Sequence, residues 1–171
     1  NLHDTIALGY HSHNNMQLAF SNAISMCTLN LKRDIIIDSS IYGIGRGAGN
    51  LNTELIADYL NKSYDKSYDS LPLLEIIDEL LVSLMRKNPW GFSPAQFLSA
   101  SYNCHPNYAT YLFNKNTNNI VSIKKVLNIL PEVYKSTFNK NIISQLYRNF
   151  ILEPRSKTEG DIVVPCDKNI L

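Results

Sequence analysis

The sequence has few cysteines, little net charge and no long hydrophobic run. Its three cysteines are odd in number and lack C-x-x-C spacing, which argues against a disulfide framework or a cysteine-based zinc site. A net charge of +1 with 18% charged residues provides no basic face for nucleic acid. No apolar run reaches the roughly 18 residues that span a membrane, and no signal peptide opens the chain. We therefore expect a cytoplasmic protein that binds neither nucleic acid nor membrane.

The first chemistry-bearing motif is a pair of histidines, His11 and His13, which follows an apolar run from Thr5 to Tyr10. Side chains alternate between the two faces of a strand, so residues two apart point the same way. Both imidazoles can therefore approach one metal ion, each through a ring nitrogen at about 2.1 Å. Two surface histidines at a strand end are the alternative, since a His-x-His pair alone is a weak signal.

A second predicted strand and a glycine-rich loop follow. The β-branched run Asp34–Ile41 is typical of a buried strand in a parallel sheet, and Gly43–Asn50 contains four glycines. Apolar residues at helical spacing predict a helix within Met16–Leu31 and another from Leu51. The order is strand, helix, strand, glycine loop, helix. The loop lacks the Gly-Lys-Ser/Thr ending of a P-loop, which disfavours nucleotide binding.

Periodicity and capping signals predict a helical second half. Leu71–Met85 carries a broad apolar stripe, with Pro72 in the first turn, where its missing N–H costs nothing. Ser93–Pro94 is predicted to start the next helix, which Pro106 interrupts before Tyr108–Phe113. Ser122 is predicted to cap a helix that Pro131 ends, and Lys140–Leu152 is the last predicted helix. After Glu153 the pattern dissolves, and Asp161–Pro165 is predicted as a short edge strand.

The order GYHSHNN, helix, IDSSIYGIGRGAGN, helix resembles the last two βα units of the barrel in metal-dependent pyruvate aldolases and acyl-CoA lyases. Within that superfamily it is most similar to bacterial aldolase catalytic-domain proteins related to 4-hydroxy-2-oxovalerate aldolase, whose barrel is followed by a helical domain with a segment like Pro89–Ala109. The resemblance implies an α/β chain. Residues 1–62 would be the C-terminal portion of a TIM (β/α)8 barrel, residues 63–152 a small all-α domain, and residues 153–171 a linker or tail.

The length of the chain limits the activity that we expect of it. A complete barrel needs roughly 250 residues, and the chain has 171. In the family, an aspartate in a T-L-R-D-G type motif at the end of the first barrel strand completes the metal site, and this sequence contains no such motif. We therefore expect a fragment that binds a divalent ion weakly, if at all, and is inactive alone.

The resemblance implies that His11 and His13 are metal ligands, with manganese or magnesium as the natural ion and zinc as a third candidate. Asn50 matches a position that, in the lyase branch, supplies an amide oxygen to the metal or to its bound water. It also suits the N-cap of the helix from Leu51, and we favour the cap alone. Asp38 is assigned a catalytic role, orienting a ligand histidine or a metal-bound water, with a structural pair to the loop arginine as the alternative.

Three residues are predicted to bind substrate: Ser39, Arg46 and His105. Ser39 ends the second strand, at the face where barrel active sites form. Arg46 could hold a carboxylate bidentately, although a loop arginine more often forms a surface or interface ion pair. His105 belongs to an unusual Asn-Cys-His-Pro-Asn-Tyr cluster in the helical half.

Tyr108, in the same cluster, is the predicted catalytic phenol, with Tyr102 as second choice. The assignment follows the resemblance, because a tyrosine of the helical domain reaches over the barrel mouth in these aldolases. A phenol there could hydrogen-bond a substrate hydroxyl or a relay water. The chain has ten tyrosines, and packing is the alternative role for each of them.

The predicted function is therefore a piece of a divalent-metal-dependent lyase that cleaves or forms a C–C bond of a small 2-oxo acid. A docking or dimerisation module is the first alternative, in which Leu71–Leu152 contacts a second copy or a partner dehydrogenase through its many aromatic residues. A Claisen-type synthase acting on an acyl-CoA is the second, and it is disfavoured because the regulatory domain of such enzymes is not recognisable here.

Overall fold

The computed structural model describes residues 3, 5–115 and 119–152, except for the side chains of residues 151 and 152. The predicted tail at 153–171, with its edge strand at 161–165, lies outside the described residues. No helix in the described part of the chain has the length and apolar character to cross a membrane.

The first part of the fold is a β-α-β unit. Strands β1 (Leu8–Tyr10) and β2 (Ile35–Ile37) pair in parallel, with Leu8 opposite Ile35. Helix α1 (Ala19–Thr28) provides the crossover that a parallel pair requires. The strands are shorter than predicted, with three residues each, and α1 is shorter than the apolar pattern at 16–31. Both strand ends therefore lead directly into polar loops.

Helix α2 (Thr53–Tyr64) packs beside α1 and completes a small core under the two strands. The fully buried members are Ala19, Ala23, Leu51 and Ile56. Leu55, predicted on the same apolar face, is instead exposed, because the core covers a narrower face of α2 than the pattern indicates.

A short 3₁₀ turn, Ile41–Gly43, connects β2 to the glycine-rich loop. Tyr42 adopts a left-handed conformation there, with φ of 56°. Its backbone N–H donates to Glu54 Oε2 at 3.0 Å, and Asn52 Nδ2 donates to Glu54 Oε1 at 2.9 Å. The start of α2 thus holds the turn in a conformation that non-glycine residues seldom adopt.

One helical segment follows, formed by α3 (Leu71–Ile76), a π-helical turn (Ile77–Leu81) and α4 (Val82–Lys87). The Leu71 N–H donates to Asp69 Oδ1 at 3.0 Å, which gives the first backbone N–H of the segment an acceptor. Its apolar residues are largely uncovered, since Leu71 and Leu80 are each 59% exposed. Among the described residues of the segment, Leu81 alone is buried.

The remaining helices form a second core. They are α5 (Pro94–Ser101), α6 (Pro106–Phe113), α7 (Ile120–Asn128), α8 (Glu132–Lys135) and α9 (Lys140–Tyr147), which continues into a π-helical turn, Arg148–Leu152. Their largest fully buried side chains are Tyr108, Leu112, Ile123, Leu127 and Ile143.

The helix starts agree only partly with the sequence signals. Ser93 caps α5 as predicted, accepting from the Gln96 N–H at 3.2 Å. The cap of α7 is Asn119 rather than Ser122, whose N–H donates to Asn119 Oδ1 at 2.9 Å. Pro131, predicted to stop α7, follows the end of that helix and also occupies the N-cap position of the short helix α8.

Candidate metal and substrate site

The two predicted metal ligands lie together beyond the carboxyl end of β1. The His11 and His13 rings have centroids 5.0 Å apart and meet edge to face, with an interplanar angle of 82°. Both side chains are exposed, while Ser12 between them is buried. The alternation predicted from strand geometry therefore places both imidazoles on the same side of the chain.

Asp38 follows β2 and stands beside the first histidine. Its backbone N–H donates to the Tyr10 carbonyl at 2.8 Å, which extends the parallel pairing by one residue. Asp38 Oδ2 lies 3.4 Å from His11 Nδ1, and both side chains are about half exposed. The alternative pairing of Asp38 with Arg46 does not occur. The Arg46 side chain is exposed and forms no ion pair with any residue that the structure describes.

Asn50 lies against the second histidine, and its structural role differs from the cap favoured by the sequence. An isolated antiparallel bridge joins Asn50 to His13. Helix α2 begins at Thr53, with Asn52 at its N-cap position, so the cap prediction for Asn50 is wrong. Asn50 Nδ2 instead donates to the Ile44 carbonyl at 3.1 Å. Its Oδ1 is buried and accepts no hydrogen bond from the described residues.

These donors fit part of the coordination sphere of a divalent ion. His11 and His13 offer ring nitrogens, and the unpaired amide oxygen of Asn50 is a hard donor of the kind that magnesium and manganese accept. Three or more His, Cys, Asp or Glu side chains placed to hold a metal are not found anywhere in the described ranges. The described residues thus present only part of a ligand set.

Ser39 has a connecting role. Its hydroxyl lies 2.9 Å from the Thr53 hydroxyl, so it joins the end of β2 to the first residue of α2. The side chain is exposed, and the neighbouring Ser40 hydroxyl donates to the Ile44 carbonyl at 2.8 Å. The two serines therefore tie both sides of the loop to the strand end.

The structure does not bring Tyr108 to the histidines. Tyr108 is fully buried in the helical core, and its hydroxyl accepts from the Asn139 N–H at 2.8 Å. The same oxygen lies 2.7 Å from the Tyr134 carbonyl and 2.9 Å from the Thr137 carbonyl. Burial raises the pKa of this phenol, and the bond from Asn139 acts in the opposite direction. This placement opposes the predicted catalytic role and favours the alternative, packing.

His105 and Tyr102 are likewise used within the helical core. His105 Nδ1 accepts from the Asn107 N–H at 3.2 Å, which makes the imidazole the N-cap of α6. Tyr102 packs against the buried cluster from its edge. Neither side chain is placed beside the histidine pair, so the substrate-binding role predicted for His105 gains no support from the geometry.

The Trp90 segment contacts the glycine loop and the turn before it, which the sequence did not predict. Trp90 Nε1 donates to the Tyr42 carbonyl at 2.9 Å, and the Gly91 N–H donates to the Gly47 carbonyl at 3.0 Å. These bonds join residues more than 40 positions apart, which a local pattern cannot predict. The available signal was the single tryptophan of the chain, set between a proline and a glycine.

A cleft of about 190 Å³ lies beside Asn50, between the loop and the Trp90 segment. Neutral polar side chains and four apolar ones surround it: Asn14, Gln17, Tyr42, Ala48, Asn50, Asn52, Met85, Trp90 and Phe92. Asn50, whose side-chain Oδ1 has no hydrogen bond from the described residues, is one of the residues that line this cleft. A small ligand in the cleft would therefore adjoin Asn50, the one candidate metal ligand among the lining residues.

Part of the chain is similar in sequence to proteins named as aldolases. The chain is 30% identical to 4-hydroxy-2-oxovalerate aldolase 4 of Rhodococcus opacus over 84 residues, which are 48% of this chain and 23% of that protein. It is 31% identical to the 4-hydroxy-2-oxovalerate aldolase of Thermomicrobium roseum over 86 residues, or 50% of this chain and 23% of that one. The match thus spans about a quarter of these curated relatives. No family model matches the chain.

A solved structure is similar over a longer stretch. It is the N-terminal domain of a presumed aldolase from Bacteroides vulgatus, with a TM-score of 0.57 and 34% identity. The similarity covers 70% of this chain and 38% of that one. The resemblance to aldolases predicted from the sequence is thereby confirmed.

Proposed function

We propose that this chain is part of a divalent-metal-dependent aldolase acting on a small 2-oxo acid. In this proposal residues 1–62 are the last two βα units of a TIM barrel, residues 63–152 are a helical domain, and the remaining metal ligand and the base lie outside the chain. The observation that carries the proposal is the meeting of the His11 and His13 rings, 5.0 Å apart, at the carboxyl end of a parallel strand.

Asp38 supports the ligand role of its neighbour. A carboxylate 3.4 Å from His11 Nδ1 favours the tautomer with its proton on Nδ1, which leaves the lone pair on Nε2 for a ligand. Asp38 is thus a positioning residue in this proposal. Asn50, which pairs with His13 in the antiparallel bridge, would supply its unpaired amide oxygen to the same ion.

The substrate would occupy the cleft beside Asn50. When bound, the ion supplies Lewis-acid stabilisation of the enolate oxygen that develops as the C–C bond breaks. Asn14 and Asn52 offer amide groups to the substrate hydroxyl and carbonyl. Arg46 is exposed in the adjoining loop and free of described ion pairs, so its guanidinium remains available for the substrate carboxylate.

The test uses the full-length protein with a 4-hydroxy-2-oxo acid and measures pyruvate release with Mn²⁺ or Mg²⁺ added. We expect His11→Ala and His13→Ala each to abolish release, because each removes one ligand. His3→Ala is the matched control, since His3 is an exposed histidine that contacts Thr5 only locally. Full turnover in both ligand variants, or equal turnover after chelation of the metal, would contradict the proposal.

A docking role is a second candidate, favoured by one observation. The helical segment 71–87 leaves Leu71, Leu74 and Leu80 at least half exposed. Such a concentration of apolar surface is typical of a face that binds another protein. The partner in this proposal is a second copy or a dehydrogenase.

Light scattering of the full-length protein after size exclusion tests the docking role. We expect Leu74→Asp with Leu80→Asp to lower the measured mass, or to abolish co-elution with an added dehydrogenase. Leu29→Asp is the control, because Leu29 is a similarly exposed leucine on the other part of the chain. An unchanged mass and unchanged co-elution in the double variant would reject this role.

A further inference from the structure

A second cleft of about 230 Å³ lies between the glycine loop, the start of α5 and the end of α6. It shares the Trp90–Phe92 segment with the cleft beside Asn50, but none of the candidate metal ligands lines it. Its lining also includes Gly47, Gln96, Thr110 and Phe113.

Gln96 is the unusual side chain in this cleft. It is only 5% exposed, and its Nε2 donates to Thr110 Oγ1 at 3.0 Å. The Thr110 hydroxyl donates in turn to the Pro106 carbonyl at 3.3 Å, so it acts as acceptor towards Gln96. This chain of bonds assigns the two ends of the amide. The Gln96 Oε1 is therefore the free atom, buried and without a hydrogen bond from the described residues.

The absence of a side chain at Gly47 makes room for that amide. A Cβ built on Gly47 would lie 3.0 Å from the Cδ, Nε2 and Oε1 atoms of Gln96. Gly47 also has φ of +61°, a conformation that other residues seldom adopt. The loop thus packs directly on the Gln96 amide but supplies no donor to it. A buried carbonyl in this state is destabilising until a donor reaches it.

The lining of the cleft restricts what that donor can belong to. No charged residue lines it, so an ionic ligand would have no counter-charge. Trp90, Phe92 and Phe113 provide flat apolar walls, and Phe92 and Phe113 remain largely exposed without a ligand. The volume is several times the roughly 30 Å³ share of one water molecule.

We propose that this cleft binds a small neutral molecule with a flat apolar body and one O–H or N–H group, which donates to Gln96 Oε1. The aromatic walls would cover the body of the molecule, and the Gln96 carbonyl would select for the donor. This site is separate from the proposed metal edge, so its occupancy does not depend on the aldolase proposal.

Phenol and anisole provide a matched pair of probes, since they share the ring and differ in the O–H donor. Binding to the full-length protein is followed by NMR, through the Trp90 indole and the Gln96 side-chain amide signals. We expect phenol to shift both signals and to bind about tenfold more tightly than anisole, the factor for one additional hydrogen bond. Equal affinities would overturn the proposal, as would shifts confined to other residues.

Gln96→Leu tests the selecting atom. We expect this variant to bind phenol and anisole equally, because the apolar walls remain and the carbonyl is gone. Gln145→Leu is the matched control, an identical change at an exposed position of α9, and should keep the tenfold preference. If Gln96→Leu fails to fold, a phenol-soaked crystal of the unaltered protein decides. Phenol oxygen on Oε1 supports the proposal, and a water there without phenol rejects it.

Discussion

At the scale of single residues, Gly49 shows how closely the glycine loop is folded on itself. A Cβ at Gly49 would collide with the Gly43 carbonyl oxygen and lie 3.3 Å from Trp90 Cδ1, and φ is +75°. We expect Gly49→Ala to lower the free energy of unfolding by on the order of 1–3 kcal/mol, from backbone strain alone. The measurement is urea denaturation monitored by circular dichroism.

Gly9→Ala is the control for that substitution. Nothing lies within 4 Å of a Cβ built on Gly9, and its φ is outside the left-handed region. Its effect on unfolding should therefore stay within about 0.5 kcal/mol, the range of ordinary surface changes. Equal losses in the two variants would mean that the loop is not packed as the structure shows.

Tyr108 separates packing from catalysis in one substitution. In Tyr108→Phe the part-buried Asn139 N–H loses its acceptor, and the Tyr134 and Thr137 carbonyls lose the hydroxyl whose single proton they share. We expect a loss of about 1–3 kcal/mol in the free energy of unfolding. Tyr68→Phe should have little effect, since the Tyr68 side chain is exposed and its described hydrogen bonds are made by the backbone. A variant of unchanged stability and lost turnover would instead restore the catalytic assignment.

The site was predictable from sequence where the governing rule is local. The His11–His13 pair follows from the two-residue period of an extended chain, and the structure places the rings together. The unpaired oxygens of Asn50 and Gln96 were not predictable, because the geometry that isolates them comes from distant segments. Gln96 bonds Thr110, 14 residues away, and packs on Gly47.

At the scale of secondary structure, helix starts show the same division. Ser93 was predicted because a serine before a proline places both signals at the first turn. The Asn50 and Ser122 predictions failed by two and three residues: Asn52 occupies the N-cap position of α2 without a side-chain cap bond, and Asn119 caps α7 through its Oδ1. Among adjacent cap-forming residues, tertiary contacts rather than propensity decide which one begins the helix.

Glu54, in the first turn of α2, joins that helix to the 3₁₀ turn at Tyr42. Its carboxylate accepts from the N–H of left-handed Tyr42 and from Asn52 Nδ2. We expect Glu54→Ala to cost about 1–3 kcal/mol of unfolding free energy, because a part-buried N–H loses a charged acceptor. The unique Trp90 indole signal provides a second readout, since the indole N–H donates to the Tyr42 carbonyl.

Glu79→Ala controls for the loss of a carboxylate. Glu79 is exposed on the 71–87 segment, and its carboxylate forms no hydrogen bond or ion pair with the described residues. Its replacement should move neither the unfolding midpoint nor the indole resonance. An indole signal that is unchanged in Glu54→Ala would show that the turn keeps its conformation without the carboxylate.

At the scale of the whole molecule, two cores are joined through the glycine loop. One core lies under the two strands and the other within α5–α9, and Trp90 bonds one side to the other. Apolar residues are left exposed in both parts, Ile36 on β2 and Leu74 on α3 among them. Under the proposed function further barrel strands would flank the sheet, and under the docking role a partner would cover the helical segment.

Metal affinity tests this incompleteness directly. Under the proposed function, two imidazoles and one amide oxygen would fill half of the six positions that Mn²⁺ prefers, so the 171-residue chain should bind Mn²⁺ at least tenfold more weakly than the full-length protein. Electron paramagnetic resonance of free Mn²⁺ measures both affinities. His13→Ala should weaken binding to the full-length protein, and His3→Ala should not. Equal affinity of the two forms would show that these 171 residues hold a complete site, and the proposal that the remaining ligand lies elsewhere would then be wrong.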